Sequence, residues 1–101
     1  MSHLSRAKGK RGEREVCKLL TKHGFPAERS QQYKGNVDAQ DINCPTFPLP
    51  IEVKRRERLL VDAWLDQAED EAQGPAIVFY RKSRQPWRVV LDAETFLKLV
   101  R

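Results

Sequence analysis

The sequence predicts an α/β fold in which a mixed central sheet is flanked by helices, in the order α-β-β-β-α-β-β-α. Three observations support it. Apolar residues recur at helical spacing in three segments, alternate with polar residues in shorter segments, and are interrupted by glycine and proline at the boundaries. At 101 residues the chain is expected to form one domain, 1–101, in which residues 1–7 are flexible.

The first half of the chain is expected to contain one helix and three strands. Apolar residues in 11–23 recur at i, i+3 and i+4, which predicts a helix that stops at Gly24. Segment 25–30 is typical of a short strand or an extended connection. Segments 41–44 and 51–54 alternate apolar with polar residues, as half-buried strands do, and the prolines between them suit a hairpin connection.

The next elements are a helix and two strands. Helical spacing resumes over 59–73 and ends before Gly74, and Trp64 on this helix is expected to pack in the core rather than stack on a binding partner. The compact apolar run 76–80 suits a central strand. Segment 87–91 is expected to form another strand.

A last helix is expected at the end of the chain. Asp92 is a residue type that caps helix N-termini, and 93–100 has helical spacing. Phe96, Leu97 and Val100 share one side of that helix and are expected to face the core.

Basic residues outnumber acidic residues by 19 to 14, which gives a formal net charge of +5. They are grouped rather than scattered: Arg6, Lys8, Lys10, Arg11 and Arg14 at the start, Lys54, Arg55, Arg56 and Arg58 in the middle, and Arg81, Lys82, Arg84 and Arg88 late in the chain. The clusters either converge on a polyanion such as nucleic acid or form separate solvated surfaces, and convergence is the favoured interpretation.

Several classes of protein are disfavoured. No apolar run approaches the ~20 residues of a membrane span, and no apolar segment follows the basic start as in a secretory signal. The expected location is therefore the cytoplasm, or wherever a cytoplasmic chromosome is. Cys17 and Cys44 have no further Cys or His at metal-ligand spacing, so reduced, buried thiols are expected rather than a disulfide or a zinc site.

Glu13 is unusual for its position on the first predicted helix. It precedes Val16 by three residues and Cys17 by four, which places its carboxylate on the apolar side. An isolated buried charge is very unfavourable, so such a carboxylate needs a partner. The alternative is a first-turn glutamate that interacts with the helix dipole, and the helix taken alone favours this alternative.

The segment Ile51-Glu52-Val53-Lys54 carries the main candidate chemistry. Strand alternation places Glu52 and Lys54 on one face, and a hairpin would bring Asp41 near them, within a residue or two of register. Two carboxylates can hold Mg²⁺, which lowers the pKa of bound water and polarises a phosphodiester, while Lys54 stabilises the developing charge. A plain cross-strand ion pair is the alternative.

The pattern Asp41…Glu52-Val53-Lys54, preceded by the helix Gly12-Glu13-Arg14-Glu15-Val16, resembles the PD-(D/E)xK nuclease superfamily. Within it, the chain is similar to the Holliday-junction resolvases of archaea and their phage-encoded relatives. The similarity runs from about residue 8 to 54 and includes Lys22-His23-Gly24-Phe25 and Arg29-Ser30. It implies a restriction-endonuclease-like fold, a homodimer, dependence on Mg²⁺ or Mn²⁺, and cleavage of branched DNA by paired incisions.

Residue roles follow from the same resemblance. The catalytic residues it implies are Glu13, Asp41, Glu52 and Lys54, the first three of them as metal ligands. Asp38 is an alternative aspartate, because Val37-Asp38 resembles the start of a strand in archaeal members; Asp41 is preferred because its ten-residue gap to Glu52 suits a short hairpin. Asp38 is then expected to be peripheral.

Further residues are expected to support the site or bind DNA. The expected DNA contacts are Lys10, Arg11, Arg29, Ser30, Arg55, Arg56 and Arg58. Gln67, on the helix after the Glu52 strand, either supports the site or is a plain surface glutamine.

The expected function is that of a Mg²⁺-dependent endodeoxyribonuclease that resolves four-way or other branched DNA junctions. A general or nicking phage nuclease is the alternative among enzymes. A non-catalytic DNA-binding module is the alternative from another class, and it is disfavoured because an inactive relative would have no need to keep all four candidate catalytic residues.

Overall fold

The described part of the chain contains three helices and one mixed sheet, in the order that the sequence predicts. The computed structural model describes residues 3–30 and 40–101. Its elements are α1 (His3–Lys22), β1 (Glu28–Arg29), β2 (Ile42–Asn43), β3 (Ile51–Arg55), α2 (Val61–Ala72), β4 (Ile77–Arg81), β5 (Arg88–Val90) and α3 (Ala93–Val100). The predicted α/β fold class is confirmed.

The helix α1 is longer than predicted. It begins at His3 rather than near residue 11, so residues 3–10, which the sequence assigned to no element, continue the helix. Segment 4–10 contains Leu, Arg, Ala and Lys, all of which have high helix propensity, so its polar character does not oppose a helix. The flexibility of residues 1–7 stays a prediction.

The five strands lie in the order β1-β2-β3-β4-β5. β3 and β4 are parallel, with Ile51 beside Ile77, and α2 is the crossover that a parallel pair requires. The other neighbours are antiparallel. The register of β2 with β3 pairs Ile42 with Ile51, next to the point where the chain enters β2.

Each face of the sheet is covered by a different helix. α1 packs Val16 and Leu20 onto the face that contains Ile51, Val53 and Phe79. The opposite face is covered by α2, with Trp64, Leu65 and Ala68 in one core cluster with Ala76 and Val78. Because side chains alternate along β3, Glu52 and Lys54 lie on this second face, beside Val78 and Tyr80 of β4.

Trp64 and the two cysteines behave as the sequence predicts. Trp64 is buried and packs against Tyr80, with ring centroids 5.9 Å apart. Cys17 and Cys44 are buried free thiols, although Cys44 follows β2 rather than forming part of it. None of the helices in the described ranges has both the length and the apolar character needed to cross a bilayer.

The prediction that Phe96, Leu97 and Val100 face the core is wrong. Their side chains are 50%, 60% and 63% exposed, and no residue of α3 is buried. The reason is topological: α1 and α2 already cover the two faces of the sheet, and α3 follows the edge strand β5. Asp92 occupies the N-cap position, but its side chain makes no capping hydrogen bond, and its backbone carbonyl accepts from Phe96 N.

Gly12 sets how closely α1 approaches β3. A Cβ atom there would lie 3.1 Å from Arg55 Cβ and 3.4 Å from Trp87 Cη2. We expect Gly12→Ala to lower the free energy of unfolding: overpacking costs about 1–3 kcal/mol, against a gain of about 1 kcal/mol in helix propensity.

Gly9→Ala is the matched control in the same helix, because nothing lies within 4 Å of a Cβ at that position. It should raise the free energy of unfolding by about 1 kcal/mol. Urea unfolding of the two variants measures both effects, and a Gly12→Ala protein as stable as Gly9→Ala would show that the close approach is not constrained.

Candidate active site

Asp41 lies just before β2 and reaches across to β3. Its Oδ2 atom accepts a hydrogen bond from Val53 N at 2.9 Å, and its backbone carbonyl accepts one from Ser30 N at 3.0 Å. The side chain thus bonds to a β3 amide that a neighbouring strand would otherwise pair. This places the Asp41 carboxylate beside the middle residue of Glu52-Val53-Lys54.

Glu52 extends from the same stretch of β3, on the face covered by α2. The pKa of Glu52 is raised to about 8, first by burial, then by the charge of Asp41, a hydrogen bond to Asp41 and the charge of Glu71, while Lys54 lowers it. Asp41 and Glu52 are therefore close enough that ionising both is unfavourable without a cation. The structure brings together the two acids that the hairpin was expected to bring together.

Glu13 approaches the same region from α1, on the other side of the sheet. Its side chain is 19% exposed, and its Oε1 atom accepts a hydrogen bond from Arg29 Nε at 2.8 Å. Burial raises the pKa of Glu13, and the nearby Asp41 adds to this, while Arg29 and Lys10 lower it. Arg29 is thus the partner that a carboxylate on the apolar side needs.

The alternative of a first-turn glutamate does not apply to Glu13. The helix begins at His3, so Glu13 lies in its middle, and the first turn contains no acidic residue. The dipole interaction falls off within the first turn, so it cannot account for this side chain.

On the face of the sheet opposite α1, α2 contributes a carboxylate that the sequence did not predict, that of Glu71. Gln67 Nε2 donates a hydrogen bond to Glu71 Oε1 at 3.0 Å, and the charge of Glu71 is one of the causes that raise the pKa of Glu52. Glu52 and Glu71 both line a cleft of about 350 Å³. Gln67 and Glu71 are four residues apart on one helix, and this spacing is the sequence signal that could have identified Glu71.

The candidate DNA-binding residues occupy different environments. Arg29 is one-third exposed and bonded to Glu13, while Arg55 is only 12% exposed and bonded to Glu57 and Ser83. Ser30 is half-buried beside Asp41. The exposed candidates are Lys10, Arg11, Arg56 and Arg58. Asp38 lies outside the described residues.

The donor set fits a hard divalent cation that keeps much of its own water. Within residues 3–30 and 40–101, no three His, Cys, Asp or Glu side chains are arranged to hold a metal ion. Asp41 and Glu52 are adjacent, however, and Mg²⁺ is commonly held by one or two carboxylates together with waters and substrate phosphates. The pair fits such an ion, and it does not form a closed protein cage.

Comparisons with known proteins agree with this geometry. A family model described as "Phage putative PDDEXK endonuclease" matches residues 4–101. Among solved structures, the chain is similar to Hjc, a Holliday junction resolvase of Archaeoglobus fulgidus, with a TM-score of 0.58 and 29% sequence identity. That match covers 83% of this chain and 72% of the resolvase chain. A search of curated proteins gives no match.

Proposed function

This chain belongs to the phage PDDEXK endonuclease family, and from that premise we propose that it cuts branched DNA with a divalent metal ion, Mg²⁺ or Mn²⁺. The resemblance to PD-(D/E)xK nucleases that the sequence predicts is confirmed. The observation that carries the proposal is the pair of adjacent carboxylates, Asp41 and Glu52, with Lys54 two residues along the same strand.

In the proposed mechanism Asp41 and Glu52 would hold the metal ion, which when bound would lower the pKa of a water molecule and polarise the phosphodiester. The Val53 amide orients Asp41 by donating to its Oδ2 atom. Lys54 shares the face of Glu52 and stabilises the negative charge that develops on the phosphate oxygens. Glu13 approaches from α1 and completes the acidic side of the site, with Arg29 balancing its charge.

The proposed substrate is a four-way or other branched DNA junction. The similarity to a Holliday junction resolvase at 29% identity supports it. The family description names an endonuclease without a substrate, so the second candidate is a general or nicking nuclease that uses the same site on other DNA. We propose that either enzyme works in the cytoplasm, which for a phage-encoded protein is that of the host; the phage family description supports this.

Paired incisions require two active sites, and we propose that a homodimer provides them. The surface that supports a dimer is the apolar side of α3, where Phe96, Leu97, Leu99 and Val100 are between 39% and 63% exposed. Contiguous exposed apolar patches on soluble proteins mark interaction surfaces. A second copy of the chain would cover this patch.

Cleavage assays separate the candidate functions. A synthetic four-way junction, a linear duplex and a single strand are incubated with the protein, with and without Mg²⁺ or Mn²⁺, beside Glu52→Ala and the control Asp70→Ala at an exposed position of α2. With a metal ion present, we expect the wild type and Asp70→Ala to cut the junction and Glu52→Ala to leave it uncut.

Two results would overturn parts of the proposal. A wild-type protein that binds the junction but never cuts it with either metal would be a DNA-binding module and not an enzyme. Equal cleavage of all three substrates would replace the junction-resolving function with general nuclease activity.

The dimer is tested by a charge placed on α3. We expect Leu97→Glu to convert a dimer into a monomer, because a carboxylate cannot be buried unpaired in an apolar interface. Lys98→Glu, next to it on the same helix, is the control for the charge. Light scattering measures the mass, and junction products should change from paired to single incisions. A wild type that is monomeric at assay concentration would contradict the dimer.

A further inference from the structure

Glu57 joins three separate parts of the chain near the carboxyl end of β3. Its carboxylate accepts hydrogen bonds from Arg55 Nη1 at 2.6 Å and from Ser83 Oγ at 2.9 Å. It also accepts from Ser83 N at 3.1 Å and lies 3.4 Å from Lys8 Nζ of α1. These donors, Arg55 first, hold the pKa of Glu57 at about 2, so the carboxylate is charged at any working pH.

Ser83, which donates hydrogen bonds to Glu57, lies in the turn between β4 and β5. Lys82 and Arg84 are exposed in this turn, and Arg84 has a φ angle of 63°. Residues other than glycine rarely adopt this left-handed conformation, and Asn, Asp and Gly are the usual choices for it. An arginine at this position therefore carries backbone strain that a glycine would not, so its presence fits a use of the side chain.

The same turn lies close to the candidate catalytic strand. β3 and β4 are parallel and in register to their ends, with Arg55 beside Arg81, and Arg56 N donates a hydrogen bond to Arg81 O at 3.3 Å. The exposed residues Arg56 and Arg58 follow directly. From Lys54 to Arg58 is four residues, at most about 14 Å of chain, which matches about four phosphates of one DNA strand along the helix axis.

We propose that Glu57 anchors a phosphate-binding surface for a duplex DNA arm next to the bond that is cut. This surface, the basic ledge, consists of Lys8, Arg56, Arg58, Lys82 and Arg84. The statement that this duplex arm lies next to the bond that is cut rests on the proposed function. Lysine and arginine side chains contact phosphates without reading sequence, so the ledge takes duplex DNA of any sequence.

Arg55 has a different role in this arrangement from the DNA contact expected from the sequence. Its guanidinium donates to Glu57 and, from Nη2, to Ser83 Oγ at 2.8 Å, and its side chain is 12% exposed. It helps hold the turn in place, while Arg56 and Arg58 remain exposed to meet phosphates. Lys8 can exchange Glu57 for a phosphate, because an ion pair between exposed side chains contributes little to stability.

The test asks whether removing a negative charge strengthens or weakens DNA binding. Glu57→Ala and Asp70→Ala each remove one negative charge, and charge alone would make both variants bind DNA more tightly. Asp70 is exposed on α2, and it is distant in sequence from the residues of the basic ledge. If Glu57 anchors the ledge, its removal releases the turn, and Glu57→Ala binds duplex several-fold more weakly, while Asp70→Ala binds as well as the wild type or better.

Binding is measured by fluorescence anisotropy with a short labelled duplex in EDTA, over a series of salt concentrations. The slope of log affinity against log salt should fall by about 0.9 for each phosphate contact that Glu57→Ala loses. Equal or tighter binding by Glu57→Ala, with an unchanged slope, would overturn the proposal. A single strand of the same length is the second probe, and weakening confined to it would show that the ledge binds unpaired DNA instead.

Arg84→Gly tests the ledge without disturbing the anchor. Glycine adopts the left-handed conformation without strain, so the variant should have a Tm equal to or above that of the wild type. Its affinity for duplex should nevertheless fall several-fold, with a loss of about 0.9 in the salt slope. Unchanged affinity and slope would overturn the proposal even if Glu57→Ala does not fold.

The two proposals fail in different experiments. The ledge is judged by binding in EDTA, where no cleavage takes place, whereas the nuclease function is judged by cleavage with Mg²⁺ or Mn²⁺. A wild type that binds duplex through the ledge but cuts nothing would contradict the function alone. A wild type that cuts DNA while Glu57→Ala binds unimpaired would contradict the ledge alone.

Discussion

Asp41→Asn is expected to abolish DNA cleavage and leave the fold intact. The asparagine oxygen can still accept the hydrogen bond from Val53 N, now 2.9 Å long, so the contact between Asp41 and β3 is retained. The charge that we propose holds the cation is lost, and a metal ion supplies several kcal/mol of transition-state stabilisation. The single-turnover rate on a junction should therefore fall by about 10³-fold or more.

The matched variant is Asp38→Asn, which decides between the two aspartates that the sequence left as candidates. It should keep most of the wild-type rate. Circular dichroism and urea unfolding of Asp41→Asn confirm that the loss is chemical. The reverse outcome, an inactive Asp38→Asn and an active Asp41→Asn, would move the metal ligand to Asp38.

Glu52→Gln is expected to stabilise the metal-free protein at high pH. Burial raises the pKa of Glu52 to about 8 in the folded chain from an ordinary value of 4.5, and Asp41 is the next cause. A raised pKa means that the folded state holds the proton more tightly than the unfolded state. The stability contributed by the protonated form is present in full below pH 4.5 and is lost as the pH rises to about 8.

The glutamine variant cannot ionise at this position, so it should lack that loss. Its advantage over the wild type should be small at low pH and reach about 1–2 kcal/mol at alkaline pH, once solvent screening of the half-buried group is allowed for. Urea unfolding in EDTA over a pH series measures it. Asp70→Asn controls for the removal of a carboxylate and should follow the wild-type curve.

Metal binding gives the same experiment a second readout. Because the ligand carboxylates must be deprotonated, Mg²⁺ or Mn²⁺ should stabilise the wild type more at pH 8 than at pH 6. Glu52→Gln should lose most of this stabilisation. Equal stabilisation of Glu52→Gln and the wild type would show that Glu52 is not a metal ligand.

Local patterns in the sequence predicted most of the fold and the central part of the site. Alternation in β3 placed Glu52 and Lys54 on the same face, and the short hairpin brought Asp41 to them. Helical spacing placed Glu13 on the apolar side of α1, where it needs a partner. These predictions held because strand and helix periodicities are properties of the local backbone.

Contacts between distant parts of the chain were decided only by the tertiary structure. Arg29 as the partner of Glu13, Glu71 beside Glu52, and the burial of Arg55 against Glu57 each depend on how separate elements pack. No local period encodes which side chains meet across such distances.

The last helix shows the same limit on a larger scale. Its amphipathic spacing predicts a side that faces the core. An apolar side indicates that a helix packs against something, but it does not indicate which element or partner packs there. In the structure α1 and α2 occupy the two faces of the sheet, so Phe96, Leu97 and Val100 stay exposed. The sequence by itself thus determined the elements and the arrangement of Asp41, Glu52 and Lys54. The tertiary structure alone decided which surfaces remain open, because the number of faces available for packing is a property of the assembled sheet.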